Sequence, residues 1–183
     1  MRAFVSVEIS PGNISKLQDQ IMSDAGWNSK DVKPVDPNNF HFTLIFLGEK
    51  SENDVNNIKA KLTQVQFDPF TLTYTGVGGF PTLASARVIW VGVDQVGAQK
   101  LAALANDVVA KMTELGFSED KPFSPHVTIF RAKVRPVQVS DISAKYQGRI
   151  FGSDLINKVH LTKSDLAPSG PIYSNIYTVE AKK

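Results

Sequence analysis

Alternation of apolar and polar positions predicts most of the strands. Residues Arg2–Ile9 alternate as a half-buried strand does, and Pro11-Gly12 ends the pattern. Branched and aromatic residues fill Phe40–Leu47, which predicts a buried strand ending before Gly48. Further strands are predicted at Phe70–Val77, Arg87–Val93, His126–Phe130, Leu155–Thr162 and Ile172–Val179. The first two of these are expected to pair antiparallel, with Gly78-Gly79-Phe80-Pro81 in the connecting loop.

Apolar residues at helical spacing predict helices between these strands. One helix begins near Ile14 and closes near Gly26, and a second begins at Ser51 and continues to about Val65. The clearest helix is Gln99–Leu115, whereas Val137–Tyr146 is a weaker helix or a loop. Hairpins and interrupted alternation favour an α+β fold with antiparallel sheets over a doubly wound parallel sheet.

Composition narrows the class of protein. The chain has 183 residues, which predicts one domain (1–183), and its 42% hydrophobic content can build a core without covalent links. The absence of cysteine excludes disulfides, thiolate metal sites and a cysteine nucleophile, and it suits a cytoplasmic protein. We expect no membrane span, because no apolar run is long enough.

The charge of the chain gives little information about its binding partner. A net charge of +2 is too small for a protein that coats nucleic acid nonspecifically. Basic residues outnumber acidic ones in 131–163, which fits an anion-binding surface or, equally, a solvated basic face.

Two His-x-Thr motifs are the candidate chemistry. His41-Phe42-Thr43 and His126-Val127-Thr128 lie 85 residues apart, each in a predicted strand. On a strand, the histidine and threonine face the same side, roughly 6–7 Å apart. If the strands lie side by side, one neutral and one protonated imidazole can move the two protons of phosphodiester hydrolysis near neutral pH. The hydroxyls can stabilise charge on phosphate oxygens.

A single His-x-Thr is a weak motif, and the chain holds a third at His160-Leu161-Thr162. We leave His160 out, because Lys163 and Ser164 follow it instead of an apolar continuation, and we expect an exposed strand histidine. A metal site built on the histidines is disfavoured, since no acidic residue recurs at matching positions beside His41 and His126.

Longer stretches resemble the two-histidine phosphoesterase superfamily and, within it, the LigT-like RNA 2′,3′-cyclic phosphodiesterases. They cover nearly the whole chain in family order: Met1–Phe4, Asn39–Glu49, Arg87–Trp90, Leu115–Phe117, Pro125–Arg131 and Lys163–Tyr173. The resemblance implies two similar α+β lobes, each with a small antiparallel sheet and helices outside, facing across a central cleft.

The resemblance also implies roles for the motif residues. His41 would protonate the departing 3′-oxygen, His126 would accept the proton of water, and Thr43 and Thr128 would hold the phosphate. The substrate would be an RNA 3′ end or a small nucleotide with a 2′,3′-cyclic phosphate, opened to a 2′-phosphate. No metal or cofactor is implied, and we expect a monomer.

Two positions depart from the family pattern, and two arginines add to the site. Ile45 stands where many relatives carry a basic residue. Because it lies four residues after His41 in the strand, alternation predicts that its side chain faces the cleft. Phe130 stands where relatives often have a small residue, which is expected to alter packing at that end of the cleft. Arg131 and Arg87 are candidates for phosphate or nucleotide contact, although Arg87 is equally explained as a surface arginine.

Other functions stay open at the level of sequence. Some relatives join RNA ends through a 2′–5′ bond, and the same site could act on another cyclic phosphate or a 2′–5′ linked nucleotide. A noncatalytic RNA-end-binding protein is the alternative outside the enzymes. Phe80 and Phe123 could stack on a base, but core packing is the favoured role for both.

Overall fold

The computed structural model describes residues 1–119 and 121–183, apart from the side chain of Asn13. Its strands are Arg2–Glu8 (β1), Val32–Pro34 (β2), His41–Glu49 (β3), Phe70–Pro81 (β4), Ala86–Val93 (β5), Val127–Ala132 (β6), Ile150–Ile156 (β7), Lys158–Ala167 (β8) and Gly170–Glu180 (β9). Its α-helices are Gly12–Ala25 (α1), Glu52–Leu62 (α2), Gln95–Thr113 (α3) and Ser140–Tyr146 (α4), and Pro37–Asn39 forms a 3-10 turn. The predicted α+β class is confirmed.

The strands form two antiparallel sheets. One sheet has the order β3-β1-β8-β9 and the other β2-β6-β5-β4-β7. The chain passes between the sheets more than once: β2 leaves the first sheet for the second, and β8 and β9 return to the first. Each sheet therefore contains strands from both halves of the chain, with one motif strand, β3 or β6, in each.

The helices cover the sheets and complete a core that spans both. The buried face of α3 contains Leu101, Leu104, Ala105, Val108 and Met112, as the helical spacing predicts. Helix α3 contacts β3 of one sheet and β4 of the other, and α1 contacts β6 and β7. No helix within the described residues is both long and apolar enough to cross a bilayer.

Local capping fixes two helix ends near the predicted positions. Ser51 caps α2 through a capping box in which its hydroxyl accepts from the Asp54 amide and its own amide donates to the Asp54 carboxylate. Gly26 ends α1 in the left-handed conformation, at a φ of 65° that favours glycine.

The predicted loop at Gly78-Gly79-Phe80-Pro81 is wrong, because these residues continue β4. Gly78 is needed for packing and not for a turn, because a Cβ at this position would lie 2.2 Å from the ring of Trp90. The connection to β5 is residues 82–85. As a result, Phe80 belongs to a strand that faces the second motif.

Other predicted elements have different bounds, and α3 begins at Gln95 instead of Gln99. The strand expected at Leu155–Thr162 is two strands, because the chain pairs with β4 up to Ile156 and with β1 after Asn157. Alternation alone does not show where a chain moves from one sheet to another. The helix expected from Val137 begins at Ser140, since Val137 forms a backbone bridge with Ala86.

Candidate active site

The two motif strands come together although they belong to different sheets. Cα atoms of β3 and β6 approach to within 8 Å. Burial lowers the pKa of His41 most, and the positive charges of Arg131 and His126 lower it further. Burial also lowers the pKa of His126, again with a contribution from Arg131. The charges of Arg131 and His126 therefore act at His41, which places the three side chains near one another.

Each imidazole is oriented by the same backbone contact. The Nδ1 atoms of His41 and His126 each lie 2.7 Å from a carbonyl oxygen two residues earlier, that of Asn39 or Ser124. A carbonyl only accepts, so Nδ1 carries the hydrogen in both rings and Nε2 is the nitrogen left for chemistry. The Nε2 of His41 lies 3.0 Å from the Thr43 hydroxyl oxygen.

Aromatic rings surround both imidazoles. The ring centroid of His41 lies 5.1 Å from that of Phe4 and 5.3 Å from that of Tyr173. The centroid of His126 lies 5.0 Å from that of Phe80 and 6.2 Å from that of Trp90. These rings exclude water, which disfavours the charged imidazole and explains why burial is the largest cause of both lowered pKa values.

A β-bulge in β3 determines which side chains after His41 face the cleft. The register between β1 and β3 shifts between the pairs Val5–Ile45 and Ser6–Thr43. Ile45 is consequently 0% exposed in the core, and Phe46, 68% exposed, takes the position that simple alternation gives to Ile45. The prediction that Ile45 faces the cleft is wrong, and a basic residue there would not supply the cleft with charge.

The strand of the second motif, β6, also contains a β-bulge. The pairs Ile89–Phe130 and Trp90–Thr128 leave Ile129 as the extra residue of β6. Phe130 is 0% exposed and packs edge-on against Trp27, with ring centroids 5.9 Å apart, so its effect is on the core and not on the end of the cleft. The bulge turns Arg131 outward.

The two candidate arginines differ in placement. Arg131 is exposed, and its charge acts on His41, His126 and Tyr173. Arg87 is exposed beside the irregularity between the pairs Phe80–Val88 and Pro81–Ala86. Within residues 1–119 and 121–183, no hydrogen bond or ion pair links Arg87 to either motif histidine. Arg131 thus lies near both motif histidines, whereas Arg87 has no hydrogen bond or ion pair with either of them among the described residues.

The expectation that His160 is an exposed strand histidine is wrong. It is 7% exposed, and its Nδ1 lies 2.9 Å from the hydroxyl of Thr178 on β9. The polar residues Lys163 and Ser164 do not end the strand, because β8 continues to Ala167 and β9 pairs along its whole length. His160 lies opposite Ser6, whose other neighbour is Thr43, so it shares the sheet face of the first motif.

Several cleft residues were missed by sequence reasoning. Phe4, Ser6 and Glu8 alternate along β1 toward the His41 side, and Tyr173 lies in a stretch that stood out only through its family resemblance. The alternation of β1 was the available signal, but it does not tell which face lines a site. Among the described residues, no group of three or more His, Cys, Asp or Glu side chains is placed to hold a metal ion.

Comparisons with known proteins agree with this geometry. The family model for LigT-like phosphoesterases matches twice, at residues 7–90 and 91–173, so that each match contains one His-x-Thr motif of the cleft. The chain is 39% identical to an RNA 2′,3′-cyclic phosphodiesterase of Archaeoglobus fulgidus, over 98% of this chain and 100% of the relative. It is 35% identical to a protein of the same name from Aeropyrum pernix, over 93% and 96% of the two chains.

Solved structures share the fold. A Thermus thermophilus protein superposes with a TM-score of 0.79 at 26% identity, covering 98% of this chain and 97% of that one. LigT of E. coli superposes with a TM-score of 0.75 at 23% identity, covering 100% and 98%. With the family model matched along most of its length, this chain belongs to the LigT-like phosphoesterases.

Proposed function

We propose that this chain hydrolyses 2′,3′-cyclic phosphates at RNA 3′ ends or on small nucleotides, giving 2′-phosphomonoesters. The observation that carries the proposal is the pair of imidazoles in one cleft, each with Nδ1 bonded to a backbone carbonyl and Nε2 left for proton transfer. The relatives named RNA 2′,3′-cyclic phosphodiesterase, similar over the full length, support the same substrate class.

The proposed reaction uses the two imidazoles on opposite sides of phosphorus. Nε2 of His126 takes a proton from water as the water oxygen bonds to phosphorus. The bond from phosphorus to the 3′-oxygen breaks, and that oxygen takes the proton of Nε2 of His41. The cyclic diester becomes a 2′-phosphate with a free 3′-hydroxyl, and solvent returns each imidazole to its starting protonation state.

Charges around the rings support this division of roles. The carboxylate of Glu8, whose residue pairs with His41 across β1 and β3, favours protonated His41 and so opposes the lowering of its pKa by burial, Arg131 and His126. At His126, burial and the charge of Arg131 both favour the neutral form that a proton acceptor needs.

Three groups are suited to hold the phosphate. Thr43 lies on the same face of β3 as His41, and Thr128 lies in β6 two residues after His126; both hydroxyls can donate to nonbridging oxygens. Arg131 supplies a cation with two parallel donors, matched to a phosphate. None of these roles requires a metal ion, and both histidines come from one copy of the chain, so we propose a monomer that works in the presence of chelator.

The test is turnover of a 2′,3′-cyclic nucleotide and a cyclic-ended RNA in excess chelator, with the product identified by phosphorus NMR. We expect a 2′-phosphate from both substrates, and a mass of one chain by light scattering. A 3′-phosphate product would contradict the assignment of leaving oxygen. Turnover lost with chelator would favour a metal enzyme, and RNA binding without product would favour an end-binding protein.

A further inference from the structure

A chain of polar side chains lies beside His41 and has no part in the proton transfers. Ser6 Oγ lies 2.8 Å from Thr162 Oγ1, and the Thr162 hydroxyl donates to Asn175 Oδ1 at 3.0 Å. Asn175 Nδ2 in turn donates to Glu8 Oε1 at 2.6 Å. Ser6 and Thr162 are 1% and 3% exposed, whereas the Glu8 side chain is 57% exposed, so the network runs from the buried sheet face out to solvent.

The direction of these bonds is fixed by the carboxylate. A carboxylate only accepts, so Asn175 must present its amide NH₂ to Glu8 and its carbonyl oxygen to Thr162. Thr162 therefore donates to Asn175, and Ser6 donates to Thr162. The groups left for a ligand are the remaining lone pairs of Ser6 and of the Glu8 carboxylate, and the second N–H of Asn175. Ser6 and Glu8 themselves present only acceptors.

These acceptors line an open depression that reaches His41. Its other walls include the aromatic residues Phe4, Phe40 and Tyr173, with Phe4 and Tyr173 packed edge-on at 5.1 Å between ring centroids. Phe4 and Phe40 are 3% and 2% exposed, so the partly exposed Tyr173 is the ring of the three that a flat ligand can contact. A phosphate is disfavoured beside Glu8, because the carboxylate repels it.

The position relative to His41 indicates which part of the substrate reaches the cavity. In the proposed reaction, which this inference rests on, His41 protonates the 3′-oxygen, so the ribose and its base lie on the His41 side of phosphorus. Both ribose oxygens near the reaction are esterified in the cyclic phosphate. The hydrogen-bond donors that remain on the terminal nucleoside near this wall are those of the base.

We propose that this cavity is a base subsite selective for guanine, whose adjacent N1–H and N2–H groups donate together to the Glu8 carboxylate. Guanine alone among the four RNA bases offers two neighbouring donors on this edge. Adenine and cytosine each offer one amino group beside an acceptor, and uracil offers one N–H between two acceptors. An acceptor facing an acceptor is repulsive, so the carboxylate disfavours those bases.

The experiment compares kcat/KM for the 2′,3′-cyclic phosphates of guanosine, inosine, adenosine and cytidine. Inosine keeps N1–H and lacks the N2 amine. We expect wild type to favour guanosine by about tenfold or more over each of the others. Glu8→Gln should bring the four values to within about twofold to threefold. Glu180→Gln, an exposed carboxylate at the end of β9 in the same sheet, is the matched control and should keep the guanosine preference.

The ratio of kcat/KM values between bases distinguishes base recognition by Glu8 from an effect of Glu8 on the protonation of His41. Because Glu8 also favours protonated His41, Glu8→Gln can slow all four substrates equally, which leaves the ratio unchanged. Equal wild-type values for the four bases, or a guanosine preference that survives Glu8→Gln, would overturn the proposal. If no cyclic nucleotide is turned over, the proposed function fails. The subsite is then tested by the Kd values of guanosine and adenosine 2′-phosphates, where equal affinities overturn it.

Discussion

Phe46 and Arg131 hold equivalent positions in the two motif strands. Each follows its motif histidine by five residues, and each is turned outward by a bulge that sends the preceding residue, Ile45 or Phe130, into the core. The two motif strands thus share the same backbone irregularity but present different side chains at equivalent positions. The His41 half presents an aromatic ring, 6.0 Å from the ring of Phe4, and the His126 half presents a guanidinium.

Arg131 should contribute to phosphate binding through its planar donors as well as its charge. We expect Arg131→Ala to lower kcat/KM by roughly 10²-fold and Arg131→Lys to recover only part of that loss, since an ammonium cannot form the two parallel bonds. Steady-state kinetics on one cyclic nucleotide measures this. Arg87→Ala is the matched control, and an equal loss there would mean that Arg131 has no special place in the site.

The pH dependence of kcat/KM should reflect the lowered pKa values of both imidazoles. Activity rises as His126 loses its proton and falls as His41 loses its own. Burial lowers both pKa values below the ordinary histidine value of about 6.5, so the maximum should lie on the acid side of pH 6.5. A bound phosphate favours protonated His41, which should move the falling limb of kcat to higher pH. A kcat/KM profile whose falling limb lies well above pH 7 would contradict these pKa directions.

Each of the three histidines begins a His-x-Thr motif, yet alanine at His160 should act differently from alanine at the other two. His41→Ala and His126→Ala should each lower kcat by roughly 10²-fold or more, through loss of a proton donor or acceptor. His160→Ala removes the bond to Thr178 in a buried position, and should lower the free energy of unfolding by about 1–3 kcal/mol while kcat falls less than tenfold. Kinetics and denaturant unfolding of the three variants check both effects.

If His160→Ala lowered kcat as much as the other two substitutions, the division between motif histidines and His160 would be wrong. The chemistry would then extend along the sheet face to β8.

Gly78 should be intolerant of any side chain. The Cβ of Gly78→Ala would lie 2.2 Å from the Trp90 ring, which must move together with the Phe80 and His126 rings packed near it. We expect a loss of about 1–3 kcal/mol of stability and a reduced kcat in the folded variant. Gly12→Ala, whose Cβ has no neighbour within 4 Å, is the control. Equal melting temperatures for the two variants would contradict the packing argument.

Sequence patterns predicted most of the elements, although not β2, and the motif pair, because those signals are local. Period-two alternation located the strands of both motifs, and the helical stripe of α3 gave its buried face correctly. Two residues of a His-x-Thr motif fall on one side of any strand, so no tertiary information was needed to pair them.

The errors came from features that only neighbouring strands determine. Ile45 was placed in the cleft because alternation assumes an uninterrupted register, and the bulge opposite Val5 and Ser6 breaks it. The residues next to His160 predict an exposed side chain, because they give no sign of its burial between β1 and β9. Gly78 was interpreted as a turn residue because the closeness of the Trp90 ring is not encoded locally.

The most direct measurement is a crystal structure with a nucleoside 2′-phosphate bound. We expect the Nε2 atoms of His41 and His126 on opposite sides of the phosphate group, each within about 2.6–3.2 Å of a phosphate or ribose oxygen. A phosphate that contacts only one of the two imidazoles, or that binds outside the cleft between β3 and β6, would contradict the two-histidine mechanism.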